Sequence, residues 1–170
     1  GGTRACRGSH AEACLDGVDR VVVSPGGPPT GELLVTARQR GLAVVTEVEF
    51  AWLHRKDAPL VAITGSNGKS TVTTLLGEMD KASGIDAGVG GNLGVPMLDL
   101  LAVGRQLYVV ELSSFQLELI NDLKGAVACL LNISPDHMDR YKTLDDYVSA
   151  KQRIFQGAAS IVSNRDDSLI

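Results

Sequence analysis

The sequence has 170 residues, of which 44% are hydrophobic and 4% aromatic, and its formal net charge is −4. This composition indicates a soluble globular protein of one or two domains. The mild charge and scattered basic residues argue against nucleic acid or a membrane surface as the main partner, and no apolar window reaches the length of a membrane span. The 3 cysteines form no C-x-x-C pair and no apolar signal segment is found, so we expect a cytoplasmic protein.

The first third of the sequence alternates short apolar runs with helical patterns, which predicts an α/β domain. Residues 56–59 are charged and include a proline, so we place a domain boundary there and divide the chain into residues 1–57 and 58–170. We expect residues 1–57 to be the remnant of a small Rossmann-like domain, truncated at its amino end. The predicted elements are strands at 20–23 and 42–46, helices at 30–40 and 47–55, and a rigid loop at 24–29.

The remainder repeats the βαβ pattern, which predicts a mostly parallel sheet covered by helices. In such sheets ligands gather outside the carboxyl ends of the strands. The last helix opens with a Thr-x-x-Asp start signal at Thr143. The predicted strands are 60–63, 85–89, 107–111, 126–131 and 159–163, and the predicted helices are 71–83, 96–102 and 143–155.

The strand at 60–63 stops at a glycine-rich turn that starts the next helix, Gly65-Ser66-Asn67-Gly68-Lys69-Ser70-Thr71. We predict a phosphate-binding loop, because the glycines let backbone amides point at an anion while Lys69 adds a charge for the β- and γ-phosphates. Ser70 can place its hydroxyl on Mg²⁺. The match to G-x-x-x-x-G-K-[ST] is incomplete, since Ile63 replaces the first glycine. An ordinary turn with an exposed lysine is the alternative, but it gives no reason for Gly-Lys-Ser-Thr at a helix start.

Two further side chains follow apolar strands. Glu111 ends a run of four apolar residues, and we favour a carboxylate that holds Mg²⁺ beside Ser70 over an exposed strand-end acid. His137 lies between Asp136 and Asp139, where by itself a solvated loop histidine is the simpler interpretation. Next to a nucleotide site, it becomes a candidate metal ligand or substrate contact.

Lys151 lies seven residues after Leu144, on the apolar stripe of the predicted helix 143–155. A lysine there must be paired, extended to the surface, or neutral. Desolvation lowers the pKa of an amine, and a free amine can react with CO₂ to give a carbamate, which is an anionic metal ligand. Periodicity alone favours a salt bridge or a side chain that reaches water.

The sequence contains five motifs, in the order TGSNGKST at 64–71, GGNLG at 90–94, ELSSFQLE at 111–118, NISPDHMDRY at 132–141 and AKQRI at 150–154. Together they resemble the Mur ligase family. The resemblance runs from about Val21 to the end of the chain, and it accounts for Ile63, since the loop of this family lacks the first glycine. The stretch at 111–118 points to the family member that adds D-glutamate.

The resemblance implies a P-loop ATPase domain and an ATP-dependent, ADP-forming ligase of peptidoglycan precursor synthesis. The reaction would add D-glutamate to UDP-N-acetylmuramoyl-L-alanine through an acyl phosphate, and we expect a monomer. Lys69 and the loop amides would hold the phosphates of ATP. One Mg²⁺ would be held by Ser70 and Glu111, and a second by His137 and carbamylated Lys151. The substrate contacts would be Asn92, Ser113 and Gln116 for the muramoyl-alanine part and Ser24 for the uridine diphosphate part.

The extent of the chain departs from the family, which has three domains. We therefore expect a fragment that forms no product alone. Two alternatives stay open: a folylpolyglutamate-synthase-like ligase, disfavoured by the Ser-Ser-Phe-Gln stretch, and a nucleotide-binding module without chemistry. ATP hydrolysis that depends on UDP-N-acetylmuramoyl-L-alanine would distinguish the D-glutamate-adding ligase from both alternatives.

Overall fold

The structure is a computed structural model that describes residues 12–23, 31–54, 58–92, 94–121 and 123–170. The strands are β1 Arg20–Val23, β2 Ala43–Thr46, β3 Leu60–Thr64, β4 Ala87–Gly91, β5 Leu107–Glu111, β6 Val127–Leu130 and β7 Ser160–Ser163. The α-helices are α1 Glu32–Gln39, α2 Glu47–Leu53, α3 Lys69–Ala82, α4 Met97–Val103, α5 Ser114–Leu119 and α6 Leu144–Gln152. Short 3₁₀ turns lie at Glu12–Leu15 and Arg153–Phe155.

The strands of this part of the chain form two sheets, and every pairing is parallel. β1 pairs with β2, while the larger sheet has the order β4-β5-β3-β6-β7. In the central strand β3, Ile63 lies opposite both Glu111 of β5 and Cys129 of β6. The loop after β3 therefore meets Glu111 and the segment after β6 at one edge, which is the edge where parallel sheets bind ligands.

The main core lies between the larger sheet and helices α2, α4 and α5. Val48 and Trp52 of α2 are buried in the same apolar cluster as Leu60 and Val110 of the sheet. A second cluster surrounds α6 and contains Leu130, Ile133, Tyr141, Tyr147 and Ala150. Helix α2 thus shares a core with residues beyond 58, and the division at residues 57 and 58 stays a prediction.

The predicted parallel α/β sheet is confirmed, and most ends of its elements differ by one or two residues from those predicted. The strand predicted at 85–89 is found two residues later, because β4 pairs Ala87 with Leu107 and Gly91 with Glu111. Helix α5 was not predicted. The loop at 24–29 lies outside the described residues. None of the helices in the described ranges is long and apolar enough to cross a bilayer.

Candidate active site

The glycine-rich loop joins β3 to α3. Gly68 is the residue before the helix and has φ +79°, in the left-handed region that favours glycine. The Val72 amide donates the first helical hydrogen bond to the Gly68 carbonyl, 3.0 Å away. A helix leaves its first four amides without an intrahelical partner, so residues 68–71 present N–H groups at the positive end of the helix dipole. The geometry suits an anion.

The loop is backed by residues 132–134, which follow β6. The Ser66 amide donates to the Asn132 carbonyl at 2.9 Å, and the Asn67 amide donates to Asn132 Oδ1 at 2.8 Å. The Ser134 amide donates to Ser66 Oγ at 2.9 Å. The amides of Ser66 and Asn67 are thus used within the protein, and those from Gly68 onward remain for a ligand.

Glu111 lies at the centre of the site and is only 2% exposed. Its Oε2 accepts a hydrogen bond from Ser70 Oγ at 2.7 Å, and its Oε1 accepts one from Asn92 Nδ2 at 2.9 Å. The described residues contain no group of three or more His, Cys, Asp or Glu side chains placed to hold a metal ion. A carboxylate beside a hydroxyl still fits Mg²⁺, which binds one or two carboxylates and completes its shell with water and phosphate oxygens.

Lys151 reaches the same loop from α6 and is 2% exposed. Its Nζ donates to the Gly65 carbonyl at 2.8 Å and lies 4.8 Å from the centroid of the Tyr147 ring. Burial, and then the nearby ammonium of Lys69, lower the pKa of the Lys151 amine to about 8. The interpretation of a side chain reaching water is therefore wrong: this lysine is buried and bonded to a carbonyl.

His137 sits on the turn after β6 with φ +55°, an uncommon conformation for a residue other than glycine. Its Nε2 lies 3.5 Å from Asp136 Oδ2, and its ring centroid lies 4.9 Å from that of Phe115. The Arg140 guanidinium covers Phe115 at 3.9 Å and pairs with Glu118 at 3.0 Å. The turn that carries His137 is thus packed against α5.

A cavity of about 290 Å³ joins these parts. It brings together five residues that the sequence predicted for the site and four that it did not. The predicted ones are Lys69, Asn92, Ser113, His137 and Lys151, and the others are Ser114, Phe115, Asp136 and Tyr147. Asp136 and Phe115 lie inside the recognised motifs. Tyr147 lies in the apolar cluster around α6, and its hydroxyl lies 3.0 Å from Ser66 Oγ.

Gln116 has a different position from the other predicted substrate contacts. It is 5% exposed, and its Oε1 accepts from the Ser113 amide at 2.9 Å and from Ser113 Oγ at 3.1 Å. Its own amide donates to Ser113 Oγ at 3.2 Å, which completes a capping box at the start of α5. Gln116 therefore orients Ser113 instead of lining the cavity. Ser24 lies outside the described residues.

The chain is similar to known proteins over most of its length. Residues 63–170 match the Mur ligase middle domain. Over 161 residues (94% of this chain and 36% of the relative), the sequence is 53% identical to UDP-N-acetylmuramoylalanine--D-glutamate ligase of Vibrio vulnificus. The chain therefore spans about a third of the length of the curated relatives it matches.

Solved structures of other proteins resemble the fold, and two are given as examples. One is UDP-N-acetylmuramate:L-alanyl-gamma-D-glutamyl-meso-diaminopimelate ligase from Neisseria meningitides, with a TM-score of 0.61, 18% identity, and coverage of 93% of this chain and 56% of that one. The other is MurF ligase from Thermotoga maritima in complex with ADP, with a TM-score of 0.55, 18% identity, and coverage of 88% and 46%. At these identities the likeness concerns the fold alone.

Proposed function

Because this chain belongs to the Mur ligase family, we propose that it forms the nucleotide-binding part of an ATP-dependent ligase that joins D-glutamate to UDP-N-acetylmuramoyl-L-alanine. The choice of substrates rests on the identity to the Vibrio vulnificus relative. The observation that carries the chemistry is the 2.7 Å contact between Ser70, in the first turn of α3, and Glu111 at the end of β5. It brings a hydroxyl and a buried carboxylate together beside Lys69, as phosphoryl transfer requires.

In the proposed reaction, the carboxylate of the muramoyl-alanine substrate attacks the γ-phosphorus of ATP and ADP leaves. The amine of D-glutamate then attacks the acyl phosphate, and inorganic phosphate leaves as the amide forms. Lys69 and the amides of residues 68–71 would bind the phosphates, and Lys69 would exchange its bond to the Ser66 carbonyl, 3.0 Å long, for a phosphate oxygen. Mg²⁺ held by Ser70 and Glu111 would offset the charge of the transferred group.

His137 and Lys151 are proposed to hold a second Mg²⁺, with Lys151 carbamylated. The lowered pKa of the Lys151 amine, about 8, supports this because it raises the fraction of the neutral amine that can react with CO₂. The carbamate nitrogen would keep one N–H, which can still donate to the Gly65 carbonyl that Nζ contacts at 2.8 Å. Both side chains line the same cavity.

Asn92 and Ser113 are proposed to contact the muramoyl-alanine part, since both line the cavity. Gln116 would act through Ser113, and the proposed uridine diphosphate contact of Ser24 concerns a residue outside the described part. We also propose a cytoplasmic monomer with no nucleic-acid or membrane partner. The mild net charge argues against a nucleic-acid or membrane partner, and the absence of a C-x-x-C spacing fits a reducing compartment.

A chimera tests the proposal, because this chain covers only 36% of the relative. The matched segment of the Vibrio vulnificus ligase is replaced by this sequence, and ADP and amide product are measured with each substrate omitted in turn. We expect ADP to form only with UDP-N-acetylmuramoyl-L-alanine present, and product only with both substrates. The same chimera carrying Lys69→Ala is the control for contaminating activity. Substrate-independent ADP release would contradict the proposal, and use of a folate substrate would favour the other ligase class.

A further inference from the structure

The side chain of Asn132 makes two hydrogen bonds with the backbone of Asn67 in the phosphate loop. Its Oδ1 accepts a hydrogen bond from the Asn67 amide at 2.8 Å, and its Nδ2 donates to the Asn67 carbonyl at 2.9 Å. The Asn132 main-chain carbonyl also accepts from the Ser66 amide at 2.9 Å. One residue thus satisfies three polar groups of the loop backbone.

These contacts fix the direction of three consecutive peptide groups. In a trans peptide the C=O and the following N–H point in opposite directions. The amides of Ser66 and Asn67 face Asn132, and accordingly the carbonyls of the same two peptides point away from it: that of Gly65 accepts from Lys151 at 2.8 Å and that of Ser66 from Lys69 at 3.0 Å.

The next peptide has the reverse orientation. Here the carbonyl of Asn67 faces Asn132, so the Gly68 amide in the same peptide group points away from Asn132, as the Gly65 and Ser66 carbonyls do. The left-handed φ of Gly68, +79°, accommodates the chain after this reversal. Asn132 Nδ2 is the donor that holds the reversed peptide.

We propose that Asn132 is a positioning residue that turns the Gly68 amide toward the bound phosphate without touching the nucleotide. The inference rests on the proposed function for the identity of the anion. It goes beyond that function by assigning a residue outside the loop to the orientation of the loop's first anion-binding amide. Preorganised donors bind an anion without a cost of reorganisation, so the effect appears in nucleotide affinity.

The two residues that follow Asn132 are also held by hydrogen bonds. Ser134 Oγ accepts from Asn67 Nδ2 at 3.1 Å, and the amide of Ile133 donates to Asp167 Oδ2 at 2.7 Å. Gly65 allows the close approach, because a Cβ on it would lie 3.1 Å from that of Leu131. The segment 131–134 therefore has a fixed place from which it can orient the loop.

Two substitutions separate positioning from packing. Asn132→Ala removes both side-chain bonds and leaves the Asn67 peptides without that partner. Asn132→Asp has nearly the parent shape and still accepts from the Asn67 amide, but it sets a carboxylate oxygen against the Asn67 carbonyl and drives the peptide to turn. A packing role predicts that Asp resembles the parent more closely than Ala does. A positioning role predicts the reverse order for ATP affinity.

The experiment uses this chain, with Mg·ATP dissociation constants from calorimetry and hydrogen exchange of the loop amides without nucleotide. We expect Asn132→Ala to weaken ATP binding about tenfold and Asn132→Asp about a hundredfold, since one loses hydrogen bonds and the other adds repulsion. Asn67→Asp is the charge control: it adds the same charge in the loop but keeps every Asn132 contact, and we expect a loss of only a few-fold. Asn132→Ser has a shorter polar group, so its ATP affinity should lie between those of the parent and Asn132→Ala. It replaces Asn132→Ala in the comparison if that variant does not fold.

Exchange of the Asn67 amide should accelerate in Asn132→Ala and stay near the parent rate in Asn67→Asp. Unchanged exchange in Asn132→Ala, or ATP binding by Asn132→Asp as tight as that of Asn132→Ala, would overturn the proposal. A parent chain that binds no ATP would refute the proposed nucleotide site and the positioning role with it. Faster exchange in Asn132→Ala would then show that Asn132 orders the loop for another purpose.

Discussion

The hydroxyl of Ser70 and the carboxylate of Glu111 are joined by a 2.7 Å hydrogen bond that links the first turn of α3 to the end of β5. The other oxygen of Glu111 accepts from Asn92, in the turn after β4, at 2.9 Å. The carboxylate therefore connects three segments before any ion is present. A test of its role in metal binding has to preserve these hydrogen bonds.

Glu111→Gln preserves the shape and most of the hydrogen bonding while it removes the charge. We expect ATP affinity without Mg²⁺ to stay near the parent value, and the increase in affinity produced by Mg²⁺ to fall at least about tenfold, since a neutral amide is a poor ligand for this ion. ATP titrations at several Mg²⁺ concentrations measure this. Glu78→Gln, an exposed acid on α3, is the control. If Mg²⁺ increased the ATP affinity of Glu111→Gln as much as that of the parent, the metal assignment would be contradicted.

Lys69→Ala should abolish detectable nucleotide binding and leave the fold intact. The Lys69 Nζ bonds to the Ser66 carbonyl at 3.0 Å within the loop and packs in neither apolar cluster, so its charge serves the proposed phosphates and not the core. Binding of a fluorescent ATP analogue and circular dichroism measure the two effects. Lys81→Ala removes an exposed lysine from the last turn of the same helix and should bind as the parent does. Equal affinity of Lys69→Ala and the parent would refute the phosphate loop.

The sequence pattern predicted the bounds of an element correctly where the residues of that element alone determine them. The strand at 107–111 is found with the predicted bounds, since four apolar residues followed by Glu111 describe a buried strand. The bounds of β4 depend on which glycine pairs with Glu111, and nothing near β4 in the sequence encodes that register. Helix α5 has only 6 residues, and its start signal, Ser113 with Gln116, lay inside a stretch interpreted as a substrate motif.

The candidate site was predictable as a set of residues and not as a set of contacts. Periodicity placed Lys151 on the apolar stripe of its helix but favoured a salt bridge or a side chain that reaches water, whereas the side chain is 2% exposed. Its partner, the Gly65 carbonyl, lies 86 residues away, and the bond depends on how α6 packs against the loop. Asn132 carries no local signal for its contacts, because they depend on the backbone direction of another loop.

The stability of the chain should rise with pH above about 8 through Lys151. Burial lowers the pKa of this amine from the ordinary 10.5 to about 8 in the folded chain. Between these values the unfolded chain binds a proton that the folded chain has released, so the free energy of unfolding increases with pH. Below about 8 both states are protonated, and the folded state bears the full cost of the buried ammonium.

Lys151→Met removes this titration. From pH 7 to pH 11 the parent should gain, relative to the variant, unfolding free energy on the order of 3 kcal/mol. Urea unfolding at both pH values measures the difference, and comparing the two proteins cancels titrations they share. Lys142→Met, on the exposed turn before α6, should titrate as the parent does. Equal pH dependence of the Lys151→Met variant and the parent would contradict a lowered pKa at Lys151.

The carbamate proposed at Lys151 is tested by chemical rescue in the ligase chimera. Lys151→Ala should lose most of its turnover, because the variant can form no carbamate to hold the second Mg²⁺. Acetate is small enough to enter the vacated space and can present two carboxylate oxygens to the ion, so we expect it to restore part of the rate, while bicarbonate restores none. The Lys69→Ala chimera should gain nothing from acetate, since it lacks a phosphate ligand and not a carboxylate. A lysine that only supports the fold predicts lost stability and no rescue, and near-parent turnover of Lys151→Ala would show that the reaction does not use this side chain.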